Sequence, residues 1–579
     1  MEQQNNDLTP AQYDAVKNDA NRLKILAGAD SGKTRVLTHR IAHQSKALRI
    51  EPEHALCLTF TKKAAEELQE RLQALGLSSP VTAGTFHALA YAQLQTRWKD
   101  LDLPRVPSIL ENRKRILNPI LPKQFSFEDR ELTINEVNWA TARRLTPETY
   151  PSAAEAARRD PSAGVSQISE FLHKFSQEKK KRNLIDFDDM LEYAIADLTN
   201  DAEYAAGRQW KYRYIFVDEF QDVNPLQFAL LRSWLGPDSS ICVVGDPNQA
   251  IYSWNGADAK YLENFDEYFP NSTTVELNEN FRSTSKILES ASSLLKNGNA
   301  MHTHKPDGET PSIYQANDCS AEVSYIAKKI KEKQLQSGRL SGQAVLVRTH
   351  TQISQIANIF NELSVPFTSP MDHETATEVH NSVERNSVTI TTFHAAKGLE
   401  WPVVYIAGLE EGFSPISHAV SESSLDEERR LLYVAMTRAQ DQLHCSWARQ
   451  RTFGTKKVSR RASPYLKEIS RSMVAANDQI MKGAPLRERI QILRNQIFPS
   501  DKPSPPSSQL RNDLNSWRES RALAADVKPS DVISDEAFEE LIARKPKTKT
   551  QLERVPQLST FNVARYGDEL ISILSNENA

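Results

Sequence analysis

The chain has 579 residues, of which 39% are hydrophobic and 25% charged, and a formal net charge of −4. That length exceeds what a single hydrophobic core serves, so about three or four structural units are expected. The near-neutral balance excludes nucleic-acid binding by bulk positive charge, the lack of an apolar run of about 18 residues excludes a membrane-spanning helix, and four scattered cysteines exclude a zinc site or a disulfide framework.

The first residues, Met1 to Asp7, lack the basic and apolar regions of a signal peptide, and a cytoplasmic location is expected. The apolar run Lys24 to Ala27 then leads into A-G-A-D-S-G-K-T, which is Ala27, Gly28, Ala29, Asp30, Ser31, Gly32, Lys33 and Thr34, ahead of a helix-compatible stretch from Arg35. A turn of this kind presents backbone N–H groups to phosphates, carries a lysine to the β and γ phosphates and offers a hydroxyl to Mg²⁺. Asp30 puts a carboxylate where that nest receives its anion. At about 6 Å and an effective dielectric of about 20, a unit charge there costs about 3 kcal/mol, enough to weaken nucleotide binding about a hundredfold.

A second strand-like run, Ala55 to Phe60, opens T-F-T-K-K-A-A, and G-T-F-H follows at 84 to 87. Residues 88–205 read as a charged helical insertion that holds D-F-D-D-M-L (186 to 191) and the basic cluster Lys179, Lys180, Lys181 and Arg182. The run Tyr214 to Val217 delivers Asp218 and Glu219 side by side, suiting Asp218 to Mg²⁺ binding with Thr34 and Glu219 to activating the attacking water. Ile241 to Gly245 precedes Gln249, Tyr252 and Trp254, aromatics of a kind on which bases stack. N-F-R-S (280 to 283) adds Arg282, and Y-V-A-M-T-R-A (433 to 439) adds Arg438. Arginines that reach a γ-phosphate from a second lobe stabilise the charge of phosphoryl transfer.

Further strand-like runs at Ala344 to Arg348, Val388 to Thr392 and Val403 to Gly408 alternate with helical patterns. Such alternation predicts an α/β fold of parallel sheets covered on both faces, with ligands at the strand ends. A second basic cluster holds Arg449, Arg451, Lys456, Lys457, Arg460 and Arg461. Pro499 to Ser508 reads as an extended linker, and helical patterning returns at Asp535 to Ala543 and Val563 to Leu574.

The ordered set, which also includes L-T-P-A-Q-Y-D-A-V (8 to 16) and T-T-F-H-A-A-K-G-L-E-W (391 to 401), resembles the UvrD/Rep/PcrA group of superfamily 1A DNA helicases from about residue 8 to about residue 470. The resemblance implies two RecA-like lobes with ATP between them and single-stranded DNA crossing both. Lobe 1A would take residues 1–87 and 206–272, the helical insertion 1B residues 88–205, and lobe 2A residues 273–367 and 387–470. The family's large 2B insertion shrinks to 368–386.

By the same resemblance, Gln12 reads adenine, Arg35 lies beside the base, Phe281 stacks on it where the family usually has tyrosine, and Glu400 contacts the ribose. Gln249, Arg282 and Arg438 match the γ-phosphate sensors and join Lys33, Asp218 and Glu219 as the catalytic set. Phe60, Phe86, His87, Tyr252, Trp254, His394 and Phe453 are the DNA-facing candidates.

After a linker at 471–507, residues 508–577 resemble an all-α HRDC domain, a combination similar to a second UvrD-like branch found in actinobacteria. P-Q-L-S-T after Val555 lacks the glycines expected there, which opens protein contact as an alternative to DNA contact for this module. The function implied is an ATP-dependent, Mg²⁺-using helicase that moves 3′ to 5′ on single-stranded DNA and acts at single-strand/duplex junctions, with a repair or nuclease partner for the HRDC-like module. Two alternatives stay open: a translocase subunit of a protein-displacing, nuclease or anti-phage assembly with weak unwinding, and a DNA-binding relative whose catalysis Asp30 has weakened.

Overall fold

The computed structural model describes residues 8–77, 79–296, 301–369, 386–453, 456–476, 508–525, 532–553, 555, 558 and 560–575. Strands β1 (Arg22–Ala27), β2 (Ala55–Thr59), β3 (Thr82–Thr85), β4 (Tyr214–Val217), β5 (Ser240–Gly245) and β6 (Thr273–Leu277) form a six-stranded sheet in the order β3-β2-β4-β5-β1-β6. Every neighbouring pair is parallel. The central strands β2, β4 and β5 are mostly apolar because side chains alternate between two covered faces. Leu56, Leu58, Ile215, Val217, Ile241 and Val243 enter one core, while Cys57, Phe216, Cys242 and Val244 enter the other with Leu23 and Ile25.

A second sheet contains β7 (Ser312–Ala316), β8 (Gln343–Val347), β9 (Phe367–Thr368), β10 (Val388–Thr392), β11 (Trp401–Ile406), β12 (Ala439–Ala448) and β13 (Val474–Ala475). Its order is β9-β10-β8-β11-β12-β7-β13, again with parallel neighbours. The architecture is therefore the α/β one that alternating strands and helices indicate. β12 runs on into a hairpin of Gln450–Phe453 and Lys456–Ser459.

Within residues 88–205, Leu117, Trp139, Tyr150, Phe171 and Phe175 share a core separate from both sheets. The flanking helices Phe86–Asp100 and Phe187–Asn200 instead bury Phe86, Leu94, Met190 and Leu191 in the core of the first sheet. A charged clamp joins the two regions. Asp186, the N-cap of Phe187–Asn200, accepts from Lys179 at 2.6 Å, Asp189 pairs with Lys179 at 2.6 Å, and Arg113 pairs with Asp188 at 2.6 Å. Lys179 is thus spent inward, while Lys180, Lys181 and Arg182 stay exposed, the last two beside Glu178. In the second cluster Arg451 is buried against Glu322 and Glu410, whereas Arg449, Lys456, Lys457 and Arg461 are exposed.

The carboxyl-terminal unit is helical, with Ser508–Ala525, Asp535–Arg544, Lys549–Leu552 and Thr560–Ser575. Leu514, Phe538, Leu541, Leu552, Leu570 and Leu574 supply its core, and Trp517 Nε1 donates to Glu569 at 2.6 Å. Residues 370–385 and 477–507, where the shortened insertion and the linker are expected, lie outside the described residues, as do Pro556, Gln557 and Ser559 of the P-Q-L-S-T turn. No described helix is long and apolar enough to cross a membrane.

Candidate nucleotide site and DNA-facing surface

β1 ends at Ala27, and the loop that follows is tied down from both sides. Gly28 N donates to Leu277 O at 3.1 Å, and Ser31 donates to Gly28 O through its N and its Oγ at 3.3 and 3.0 Å. Gly32, at φ +82°, caps the helix Lys33–Lys46, and a Cβ there would stand 2.9 Å from Gln12 Nε2. Lys33 is buried at the helix start. Thr34 Oγ1 donates to Asp218 Oδ2 at 2.8 Å, so the hydroxyl and carboxylate expected to share a metal meet directly. Arg35, half-buried, begins the outward face of the same turn.

Asp218 and Glu219 stand where β4 ends, and their environments push them apart. Burial, and then the adjacent Glu219, raise Asp218 to about 6 against the pull of Thr34 and Lys33. Burial opposes ionisation of Glu219 too, but Lys33 and Lys397 outweigh it and hold this carboxyl below its ordinary range. Glu219 is therefore an ionised acceptor in a water-poor site. Asp222 is raised to about 6, by burial first, and pairs with Lys397. Lys397 also donates to Gln249 O at 2.9 Å, while Gln249 Nε2 is held by Asp246 Oδ2 at 2.9 Å.

The segment after β6 lies against the loop. Asn280 Nδ2 donates to Ala29 O at 2.8 Å and Phe281 N to Asp30 O at 3.2 Å. Arg282 forms ion pairs with Asp30 and with Glu400, and Glu400 also accepts from Gln440 at 2.8 Å. The Asp30 carboxylate, expected bare in the phosphate nest, is thus matched by an arginine. Arg438 is buried and donates to Val434 O, Leu399 O and Thr437 Oγ1 at 2.9, 3.2 and 3.2 Å. Burial, and then Arg282, push its pKa down. Phe281 stacks face to face on His304 with ring centroids 4.6 Å apart. Gln12 gives Nε2 to Ser31 O at 2.9 Å and takes Thr9 N on Oε1 at 3.2 Å. Sequence reasoning missed Lys397, Asp222 and Asn280 as members of this cluster, although each lies inside a motif quoted for its neighbours.

Among the DNA-facing candidates, Tyr252, Trp254 and His394 come together, with centroids 6.1 to 6.4 Å apart, and Trp254 is 46% exposed. Lys397 Nζ lies 5.0 Å from the Tyr252 ring centroid, which links this aromatic group to Gln249 and Asp222. Phe60 is half-buried, 6.0 Å from Phe86. Phe86 itself is a correction: it is 1% exposed between Phe60 and a parallel Trp234, so its ring has no face for a base. His87 is half-buried, edge-on to Phe187 at 5.9 Å. Phe453 lies in the hairpin opposite Lys456, and its side chain is outside the described residues.

Residues 8–270 match the UvrD/REP helicase N-terminal domain, residues 275–374 and 372–450 the UvrD-like helicase C-terminal domain, and residues 507–574 the HRDC domain. The chain is similar to the ATP-dependent DNA helicase UvrD2 of Mycobacterium tuberculosis strain H37Rv, with 27% identity over an alignment of 690 positions that takes in 98% of each chain. It is also similar to the ATP-dependent DNA helicase PcrA of Staphylococcus aureus strain NCTC 8325, at 24% identity over 81% of this chain and 87% of that one. PcrA of Leuconostoc citreum is 30% identical over 64% of this chain and 50% of that one. The two helicase matches run almost without a break from residue 8 to residue 450 and an HRDC match follows, so the chain belongs to the UvrD-like helicase family.

Proposed function

We propose that the protein is an ATP-driven DNA helicase and translocase that moves 3′ to 5′ on single-stranded DNA in the cytoplasm and opens duplexes at single-strand/duplex junctions during repair or replication. One observation carries the reading: Lys33 and Thr34, Asp218 and Glu219, and Arg282, all beyond strand ends of the first sheet, meet at one phosphate loop, and the charges of Arg282 and Asp30 are felt at Arg438, which directly precedes β12 of the second sheet.

In this reading the loop N–H groups and Lys33 hold the phosphates. Gln12 keeps one amide hydrogen and one carbonyl lone pair beyond its present bonds, a donor and acceptor pair that fits the adenine edge. Phe281 supplies the stacking ring, with Arg35 beside the base and Glu400 at the sugar. Ionised Glu219 orients the attacking water and takes its proton. Gln249, Arg282 and Arg438 answer the charge that develops on the transferred phosphoryl group. Thr34 and Asp218 fit a hard oxygen-ligated cation. Among the described residues no cluster of three or more His, Cys, Asp or Glu side chains stands here, so Thr34 and Asp218 would hold such a cation together with oxygens of the nucleotide and solvent. Mg²⁺, when bound there, neutralises charge on the phosphates. Lys397 spans Gln249, Asp222 and the Tyr252 ring, a short path by which the nucleotide site bears on bases stacked at Tyr252 and Trp254.

The test is ATP hydrolysis with and without single-stranded DNA, beside a K33A control, followed by unwinding of duplexes with a 3′ or a 5′ tail. DNA should stimulate hydrolysis, K33A should abolish it, and only the 3′-tailed duplex should open. Turnover no higher than that of K33A would remove the motor reading altogether.

A second reading, a translocase that displaces proteins and unwinds poorly, has its own support. The C-terminal helicase match breaks into two segments at 372–374, and an alignment of 690 positions over 98% of 579 residues leaves about a hundred or more positions without a counterpart here. Streptavidin displacement from single strands without unwinding of a forked duplex would favour it. For the HRDC module we infer a repair or nuclease partner in addition to DNA.

A further inference from the structure

Asp30 sits in a left-handed backbone conformation at φ +58°, which aspartate, asparagine and glycine accept and most residues resist. Its side chain is only 12% exposed, and Oδ1 is ion-paired with Nη1 of Arg282, itself 15% exposed. Arg282 is shared with Glu400 through Nε. The hydrogen bonds from Asn280 to Ala29 O and from Phe281 N to Asp30 O join the same two segments, so the pair is part of a seam between them. Oδ2 of Asp30, and likewise Nε and Nη1 of Arg282, are buried without a hydrogen-bond partner, so the seam is held by opposite charge and not by aligned hydrogen bonds at these atoms. A carboxylate and a phosphate oxygen make the same demand on a guanidinium, a charge-assisted hydrogen bond of defined direction. Two anions at the same Nη1 repel each other, so a phosphate oxygen that takes this nitrogen displaces the Asp30 carboxylate from it.

We propose that Asp30 is a positioning residue: before nucleotide binds it holds Arg282 at the phosphate loop, and the terminal phosphate of a nucleoside triphosphate takes its place on that arginine. The proposal rests on the reading of the loop as the ATP site, and it changes what Asp30 does there. A carboxylate bare in the nest would repel diphosphate and triphosphate alike. A carboxylate matched to Arg282 competes only with the phosphate that reaches Arg282. The residue thus sets the threshold that distinguishes the two nucleotides, and it couples closure of the seam to the identity of the nucleotide.

The experiment is equilibrium titration of the full chain with a non-hydrolysable ATP analogue and with ADP, each with Mg²⁺, for the natural sequence, D30N, D30G, R282Q, D30N/R282Q and K33A. Asparagine and glycine both fit the left-handed backbone, so the two variants at position 30 check each other. D30N and D30G should each tighten the triphosphate about tenfold and the diphosphate less than about threefold, a gain in selectivity that should vanish in the R282Q background. A triphosphate-to-diphosphate affinity ratio that D30N and D30G leave unchanged or lower would overturn the proposal, as would the same gain in the absence of Arg282. Failure of the ATP-site reading looks different: K33A would bind the triphosphate as well as the natural sequence does.

Discussion

His394 illustrates how far a side chain's surroundings decide its chemistry. Burial first, and then the nearby Arg348 and Lys397, hold its pKa down to about 3, so it meets Tyr252 and Trp254 as a neutral ring. A proton taken up by the unfolded chain below its ordinary value near 6.5 is refused by the folded one, so this residue costs stability progressively as pH falls from about 6.5 toward 3. H394N should therefore gain on the natural sequence by up to about 2 kcal/mol at pH 5 compared with pH 7.5, read from denaturant midpoints at the two pH values. A difference that does not depend on pH would contradict the shift. At this scale the sequence was legible where a residue's role follows from its type and motif: Lys33, Thr34, Asp218, Glu219 and Arg282 all stand at one loop. It was not legible where a partner decides. Nothing in the letters N-F-R-S reveals that Arg282 finds Asp30, or that Phe86, two letters from Gly84, turns into the core instead of toward a base.

Among the elements, the hairpin after β12 is anchored by one side chain. Arg451 sits between Glu322, on the helix Cys319–Ser337, and Glu410, beyond β11. These carboxylates are further bound by Gly408 N at 2.9 Å, Ser446 Oγ at 2.8 Å and Ala448 N at 2.8 Å, so helix, strand ends and hairpin meet in a single buried network. Removing the cation leaves two buried carboxylates without their charge partner. R451M should lower stability by about 3 to 5 kcal/mol, seen as an earlier unfolding transition of the helicase part, whereas substituting the exposed Lys456 should change it by less than about 0.5 kcal/mol. Elements with nearly continuous apolar runs, such as β2, β4 and β8, were readable because parallel strands covered on both faces have few polar positions to spare, and β10, V-T-I-T-T, was readable through its β-branched residues. β3, β6 and β12 were not: T-A-G-T and T-T-V-E-L are edge strands, and A-Q-D-Q-L-H-C-S-W-A carries polar residues along its length.

For the whole molecule, contacts divide the chain into two compact units, one containing residues 8–476 and the other residues 508–575. Each has its own apolar clusters, and the smaller is closed by Trp517, Arg521 and Glu569. A chain ended after residue 476 should fold and keep DNA-stimulated ATP hydrolysis within about threefold of the full chain, while a fragment beginning at residue 508 should melt cooperatively as a helical unit. Loss of hydrolysis in the shortened chain would show that the helical unit is part of the motor. The net charge of −4 said little about where nucleic acid binds, because charge counts do not show which lysines and arginines are already consumed, as Lys179 and Arg451 are.

The free thiols have a practical consequence. Cys57, Cys242 and Cys445 are buried in the two sheets, and burial pushes Cys242 up to about 11 and Cys445 to about 12, while Cys57 is raised further still. Cys319 alone is partly accessible, and burial raises it as well, against the pull of Arg451 at its sulfur. Thiolates, which are the species that dyes and oxidants attack, are therefore scarce near neutral pH in the folded protein. Fluorophore pairs can be attached to cysteines added at the surface of either lobe with the four native ones left in place, so the distance across the Asp30–Arg282 seam can be followed in single molecules as nucleotide arrives.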